Sequence, residues 1–184
     1  MSHWDQRDPV SDEALVRRAR DGEEAALSAL VKRHADAVYR VALAIAGDRD
    51  LAQDVSQDAF LKAFRGLDGF RGDAAFRTWL LTIAANAARG ALRRQGRRRE
   101  TDLDTAPPVA SEVRGPDQDA ELSSESARAR EALGRLPEKQ RLSVQLRVDE
   151  GLSFREIAEV IGSTEGAARV NYFHGIRKLR EWMA

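Results

Sequence analysis

The 184-residue chain carries 30 lysines and arginines against 30 aspartates and glutamates, a formal net charge of zero, and no cysteine. A chain of this length forms one or two small domains, each able to bury a core of its own, and without thiols it makes neither disulfides nor thiolate zinc sites, which fits a reducing compartment. The longest apolar stretch, about residues 35–47, includes Asp36 and Arg40 and falls short of the roughly 20 residues that a membrane span needs. The opening MSHWDQRDPVSDE has no apolar segment of the signal-peptide kind. A cytoplasmic, soluble protein without membrane insertion is expected.

Alanine, leucine, arginine and glutamate dominate, strand-type alternation is absent and prolines are few, so the expected fold class is all-α. Helices are predicted over residues 12–21, 23–46, 50–64 and 74 to about 94, separated by Gly22, Gly47 and the stretch 67–72. On the third of these, helical spacing puts Asp50, Asp54, Gln57 and Asp58 in one sector and Leu51, Val55, Ala59 and Ala63 in another. A solvated acidic face is the ordinary explanation of such a pattern. Phe60 and Phe64 flank the acids, however, and acids rimmed by aromatics suit docking to a basic partner.

In the fourth helix Asp73 is a candidate cap, and Phe76, Leu80, Ile83 and Ala87 form a core seam. Trp79, one step off that seam, is either a packing residue or an aromatic platform for unstacked bases. Residues 89–99, RGALRRQGRRR, hold six arginines and no acid. Cations stabilise a helix C-terminus by about 0.3–1 kcal/mol. Six exceed that role, and a phosphate-binding strip accounts for them better. Residues 100–125 then hold eight acids against the single Arg114, and 100–126 contain three of the five prolines. Such a polar, acidic stretch cannot bury enough apolar surface to fold alone and reads as a linker.

Beyond it come a helix near 127–133, the LPEKQR lead into a helix ending near 149, and SFREIAEVIGSTEGAARVNYFHGIRKL. Ser153 and Glu156 have the spacing of a capping box, and Gly162 supplies a turn. In the last helix Ala168, Tyr172, Ile176 and Leu179 fall on an inward face, with Ala167, Asn171, His174 and Lys178 opposite. This is a helix-turn-helix pattern whose outward row could enter a major groove. Two amphipathic helices packed as a plain hairpin remain the alternative from these residues alone.

Taken in order, DLAQDVSQDAFLKAF, FRGDAAFRTWLLTIAANAARGALRR, LPEKQRLSVQLRVDEGLSFREIAEVIG and the final helix resemble the extracytoplasmic-function sigma factors of the sigma-70 family. They echo its D-x-x-Q-[DE]-x-F, T-W-L-x-x-I-A-x-N, L-P-x-x-x-R and G-L-S-x-x-E-I-A patterns. The resemblance implies a sigma domain 2 over residues 11–98, a flexible acidic linker over 99–125 and a sigma domain 4 over 126–184. It implies a dissociable subunit of RNA polymerase that binds the beta and beta-prime subunits of the core, directs it to promoter DNA and helps open the duplex. Core binding would fall to Asp50, Asp54, Gln57, Asp58 and Phe60. The minus-10 element would be held by Phe70, Arg71, Asp73, Trp79, Asn86, Arg89, Arg93 and Arg94. The minus-35 element would be read by Ser163, Thr164, Ala167, Arg169, Asn171, His174 and Lys178. The acidic linker would lie in the RNA path of the polymerase.

No catalytic residue, metal or cofactor is expected: the histidines are scattered, and GSTEG lacks the lysine of a phosphate loop. Neutral net charge suits a factor with little affinity for free DNA, which binds promoters only beside the polymerase. An anti-sigma factor, wedged between or wrapped around the domains, is expected to hold the protein inactive. The last helix departs from the family's usual G-T-V-K-S-R-L-H-R-A-R run, with Asn171 and His174 in place of arginines, and Gly90 stands where many relatives have an acid. A stand-alone helix-turn-helix regulator is the alternative function, although it leaves the first hundred residues unexplained.

Overall fold

The computed structural model of the protein describes the backbone over residues 10–103 and 124–183, and side chains over 10–98 and 127–183. Within these residues the chain is helical, without strands: α1 (Asp12–Arg20), α2 (Glu24–Ala46), α3 (Arg49–Arg65), a 3-10 turn (Leu67–Gly69), α4 (Phe76–Leu103), α5 (Ser124–Arg135), α6 (Glu138–Val148), α7 (Phe154–Ile161) and α8 (Glu165–Met183). Of the linker expected over 99–125, residues 104–123 lie outside the described ones.

Local chemistry sets most of the boundaries. Ser11 caps α1 by accepting from the Ala14 N–H at 3.3 Å, with Asp12 and Glu13 in the first turn and Arg17, Arg18 and Arg20 in the last, an order that complements the helix dipole. Asp48 caps α3 by accepting from the Leu51 N–H at 2.7 Å. Two expectations fail at α4. Its first helical residue is Phe76, so Asp73 does not cap it; Asp73 lies in an exposed bend and pairs with Arg71 at 3.3 Å. The helix also runs past Arg94 to Leu103, because the arginine block contains no proline, and straight-chain arginines are good helix formers.

In the first helical unit α1, α3 and α4 surround α2. The buried faces are rich in alanine, with Ala52, Ala59 and Ala63 of α3 and Ala84, Ala85 and Ala88 of α4 fully covered, and such small side chains let helix axes approach closely. Phe76 anchors one end, in contact with His34 (ring centroids 5.7 Å apart), Phe70 (5.8 Å) and Trp79 (5.8 Å). Trp79 also meets Phe70 at 5.0 Å and is half-buried, so it takes the packing position.

The second unit places α7 and α8 on α6. The capping box at Ser153 and Glu156 is present, with both reciprocal bonds made. Gly162 turns the chain at φ +61°, where a side chain would be strained, and the Ser163 N–H closes the turn on the Ala158 carbonyl at 2.9 Å. Leu142, Leu146, Ile157, Val160, Ile161 and Ala168 are buried here. Gly175 lies so close to α6 that a Cβ would stand 2.7 Å from Val144 Cγ2 and 3.3 Å from the Gln140 carbonyl oxygen.

The sequence reads as two helical domains on a tether that lets them repack as a compact form, and the two units do pack together: α7 lies on α4 and α6 on α2, and their buried residues form one continuous cluster. Helical periodicity marks which face of each helix is apolar, and it does not show that faces from the two halves meet.

Candidate functional site

The outer face of α3 is acidic and open. Asp50, Asp54 and Gln57 are exposed and Asp58 and Phe60 half-buried, while Ala52, Val55, Ala59 and Ala63 face the core. Asp58 pairs with Lys62 one turn on at 2.6 Å, and Phe60 leans on Phe64 with centroids 5.9 Å apart. Leu61 is exposed on the same helix. A cleft of about 410 Å³ separates α3 from α4, with Asp54 and Asp58 on one wall and Arg94 and Arg98 on the other. Opposite charges are thus segregated onto two adjoining surfaces of one small unit.

The residues expected at the minus-10 element divide by surroundings. Arg71, Asp73, Asn86, Arg93 and Arg94 are exposed, and Phe70 and Trp79 are half-buried against each other. Arg89 is engaged with the second unit: its Nε donates to Glu138 at 2.9 Å and its Nη1 reaches the Val160 carbonyl at 3.5 Å, while its buried Nη2 has no hydrogen-bond partner. Arg20 is a residue the sequence reading missed. Its guanidinium donates to the Leu67 carbonyl at 3.1 and 2.9 Å and also to the Phe70 carbonyl, pinning the loop that carries Phe70 and Arg71. Nothing in helical periodicity marks an arginine that works 47 residues away.

On α8, Thr164 caps the helix by accepting from the Ala167 N–H at 3.2 Å, and Arg169 pairs with Glu165 at 3.1 Å while lying over the Phe154 ring, 5.2 Å from its centroid. His174 is exposed, whereas Ser163, Ala167, Asn171 and Lys178 are half-buried. The most open row is therefore Arg169, Val170, Phe173, His174 and Arg177, rotated from the expected one. Contact of Gly175 and Ala168 with the underlying helices sets that rotation. Val170 and Phe173, 53% and 57% exposed, were also missed. Their signal was available: both are apolar residues off the inward seam.

Where the units meet, Glu150 is enclosed, its side chain 2% exposed. Its Oε1 accepts from Arg40 Nε at 2.8 Å and Nη2 at 2.6 Å, its Oε2 accepts from Arg77 Nη2, and its carbonyl accepts from Arg77 Nη1 at 3.0 Å. Thr78 donates to Glu156 at 3.2 Å. Hydrogen bonds from the Ser153 hydroxyl, the Ser153 backbone and Thr78 hold the Glu156 carboxyl below its usual value, against the opposing effect of burial. Nearby, burial lowers the His34 imidazole below its ordinary value, although Asp12, 2.8 Å away, pulls the other way.

A bundle with a negative face and a positive strip, followed by a helix-turn-helix unit, is the arrangement of a two-part DNA-binding protein. The family profiles for Sigma-70 region 2 and Sigma-70 region 4 match residues 30–98 and 126–179. The chain is 35% identical over 173 residues to the ECF RNA polymerase sigma-E factor of Escherichia coli (strain K12), covering 89% of this chain and 90% of that one. It is 32% identical over 170 residues to the RNA polymerase sigma-H factor of Pseudomonas aeruginosa, covering 88% of each. Among solved structures, CnrH in complex with the cytosolic domain of CnrY aligns with a TM-score of 0.66 and 28% identity over 92% of this chain and 95% of that one. The chain belongs to the extracytoplasmic-function sigma factors of the sigma-70 family. The match to region 2 leaves the stand-alone helix-turn-helix reading without support.

Proposed function

We propose that this sigma factor docks on core RNA polymerase through the open face of α3, with Asp50, Asp54, Gln57 and Asp58 meeting a basic surface of the beta-prime subunit and Phe60 adding apolar contact at the rim. The observation that carries this is the segregation of residues on α3, where Asp50 and Asp54 are exposed and Asp58 half-buried while the opposite side packs on α2 and α4. Like charge gathered on one face of a rigid helix steers a partner of opposite sign and fixes its register. Arg71, Asp73, Asn86, Arg93 and Arg94 would then follow the minus-10 strand, with Phe70 and Trp79 beneath as the packed floor of the loop. The open row of α8 would enter the major groove at minus-35. Arg169 and His174 would supply donors there, with the half-buried Asn171 beside them, and Val170 and Phe173 would offer apolar contact to thymine methyl groups.

The protein would act in the bacterial cytoplasm, where core polymerase resides. Control by an anti-sigma partner is supported by the related CnrH, whose structure contains the cytosolic domain of a second protein. Reconstitution tests the docking assignment. Purified protein added to core polymerase should give transcription from its cognate promoter, and the double substitution Asp54→Arg, Asp58→Arg should weaken core binding without unfolding the bundle. Unchanged core affinity in that variant would reject α3 as the docking face.

A further inference from the structure

We infer that Arg20 sets base discrimination at the minus-10 element, as a positioning residue that holds the loop between α3 and α4 in the shape that accepts the preferred base. The inference rests on the minus-10 reading above and deepens it. Arg20 is the last residue of α1 and lies ahead of residues 30–98, the span that the Sigma-70 region 2 profile matches. Its role is therefore argued from this chain's own geometry.

The loop has a root and a tip. The root, residues 66–70, is held from two sides. Leu67 is buried, and the Phe70 ring packs on Trp79 at 5.0 Å and on Phe76 at 5.8 Å. On the backbone side, Arg20 Nε and Nη2 donate to the Leu67 carbonyl at 3.1 and 2.9 Å, and Nη2 also donates to the Phe70 carbonyl. A planar guanidinium bridges two carbonyls in a fixed fork that an ammonium does not reproduce. The tip is differently placed: Arg71, Gly72 and Asp73 are exposed, and Arg71 pairs with Asp73 at 3.3 Å inside the loop itself. The tip is thus aimed by the root, and the root by Arg20.

An extruded base is told from its competitors by polar groups held within about 0.5 Å of the productive geometry. A rigid loop rejects a wrong base because its polar groups are then left unpaired. A loop free to shift follows the wrong base and recovers part of that loss. Releasing the root therefore lowers discrimination more than affinity. Arg20 is exposed, and Leu67 and the aromatic contacts stay in place without it, so the bundle keeps its core when Arg20 is replaced.

The test uses holoenzyme. Promoter DNA is selected with the wild-type protein, and single-stranded oligonucleotides covering the selected minus-10 element are made with each of the four bases at each position. With Arg20→Gln, the ratio of preferred to substituted affinity at the discriminated position should fall about tenfold, while affinity for the preferred strand falls about threefold or less. Arg20→Lys should lose the ratio as well, and the melting temperature of both variants should stay near that of the wild type. Arg71→Ala and Asp73→Ala should lower discrimination at the same position. Because the chain has no native cysteine, a nitroxide at Asp68→Cys reports on the root alone, and its spectrum in the free protein should sharpen in both Arg20 variants. An equal loss for all four bases, full rescue by lysine, or an unchanged nitroxide spectrum would overturn the role of Arg20. Discrimination lost in the loop variants but kept in Arg20→Gln would overturn it too, while leaving the minus-10 reading intact. Discrimination kept in all of them would overturn both.

Discussion

The outward faces of α3 and α8 use similar materials with opposite sign. Each sets charged side chains among partly or fully exposed apolar ones, Phe60 and Leu61 on α3, Val170 and Phe173 on α8. Between its basic ends α3 presents Asp50, Asp54 and Asp58, the last paired with Lys62; the open row of α8 presents Arg169, paired with Glu165, and Arg177, with His174 between. Apolar area contributes affinity to either kind of partner, whereas the sign of the charge decides between a basic protein surface and polyanionic DNA. The supports differ too. α3 lies on an alanine-rich bundle whose helices approach closely, while α8 rests on a smaller core of leucine, isoleucine and valine.

The comparison breaks most severely where a support is removed. Phe76→Ala should destabilise the first unit by about 4 kcal/mol, because Phe76 is buried and joins three aromatic neighbours; urea unfolding followed through a probe in each unit should show α3 lost before α8. Gly175→Leu should cost the second unit about 3 kcal/mol by overpacking, and the same two-probe experiment should reverse the order. Charge reversal at Asp54 and Asp58 should weaken core binding by about 2 kcal/mol, near thirtyfold, in a titration against labelled core, with the unfolding midpoint unchanged. Phe173→Ala should cost about 1 kcal/mol, near fivefold, in binding of holoenzyme to promoter DNA; replacing minus-35 thymines with uracils should lower wild-type binding and leave the variant unaffected. Acidification should have the smallest effect. The His34 imidazole has an ordinary value of 6.5 that burial lowers, so the unfolded chain protonates first. Its contribution to stability is complete above 6.5 and declines as pH falls toward the folded value, visible as a lower melting temperature that His34→Gln removes.

Much of this arrangement was legible in the amino-acid order, for identifiable reasons. The segregated wheel of α3, the capping box at Ser153 and Glu156 and the glycine turn at 162 each depend on neighbours within one or two turns, where spacing along the chain is spacing in the fold. The start of α4 is not legible because Asp73 has cap chemistry without cap geometry, nor is its extent, because a run of arginines looks like the end of a helix while favouring its continuation. The rotation of α8 was out of reach: it is set by how deeply Gly175 seats against α6, a contact between distant segments. The ties of Arg20 to the loop carbonyls and of Glu150 to Arg40 and Arg77 bridge many residues, and no periodic pattern anticipates them.

Glycine inside a helix costs about 1 kcal/mol relative to alanine, yet at position 175 there is no room for even one more carbon. The helix proposed to read the promoter is consequently seated on a mount that tolerates almost no adjustment. On the proposed assignment, lineages descending from such a chain would retune promoter preference by exchanging the exposed letters at 169, 170, 173, 174 and 177, since shifting the helix itself would first break its bearing. Orthogonal regulators could therefore diverge quickly in what they read while remaining nearly superimposable in how they are built.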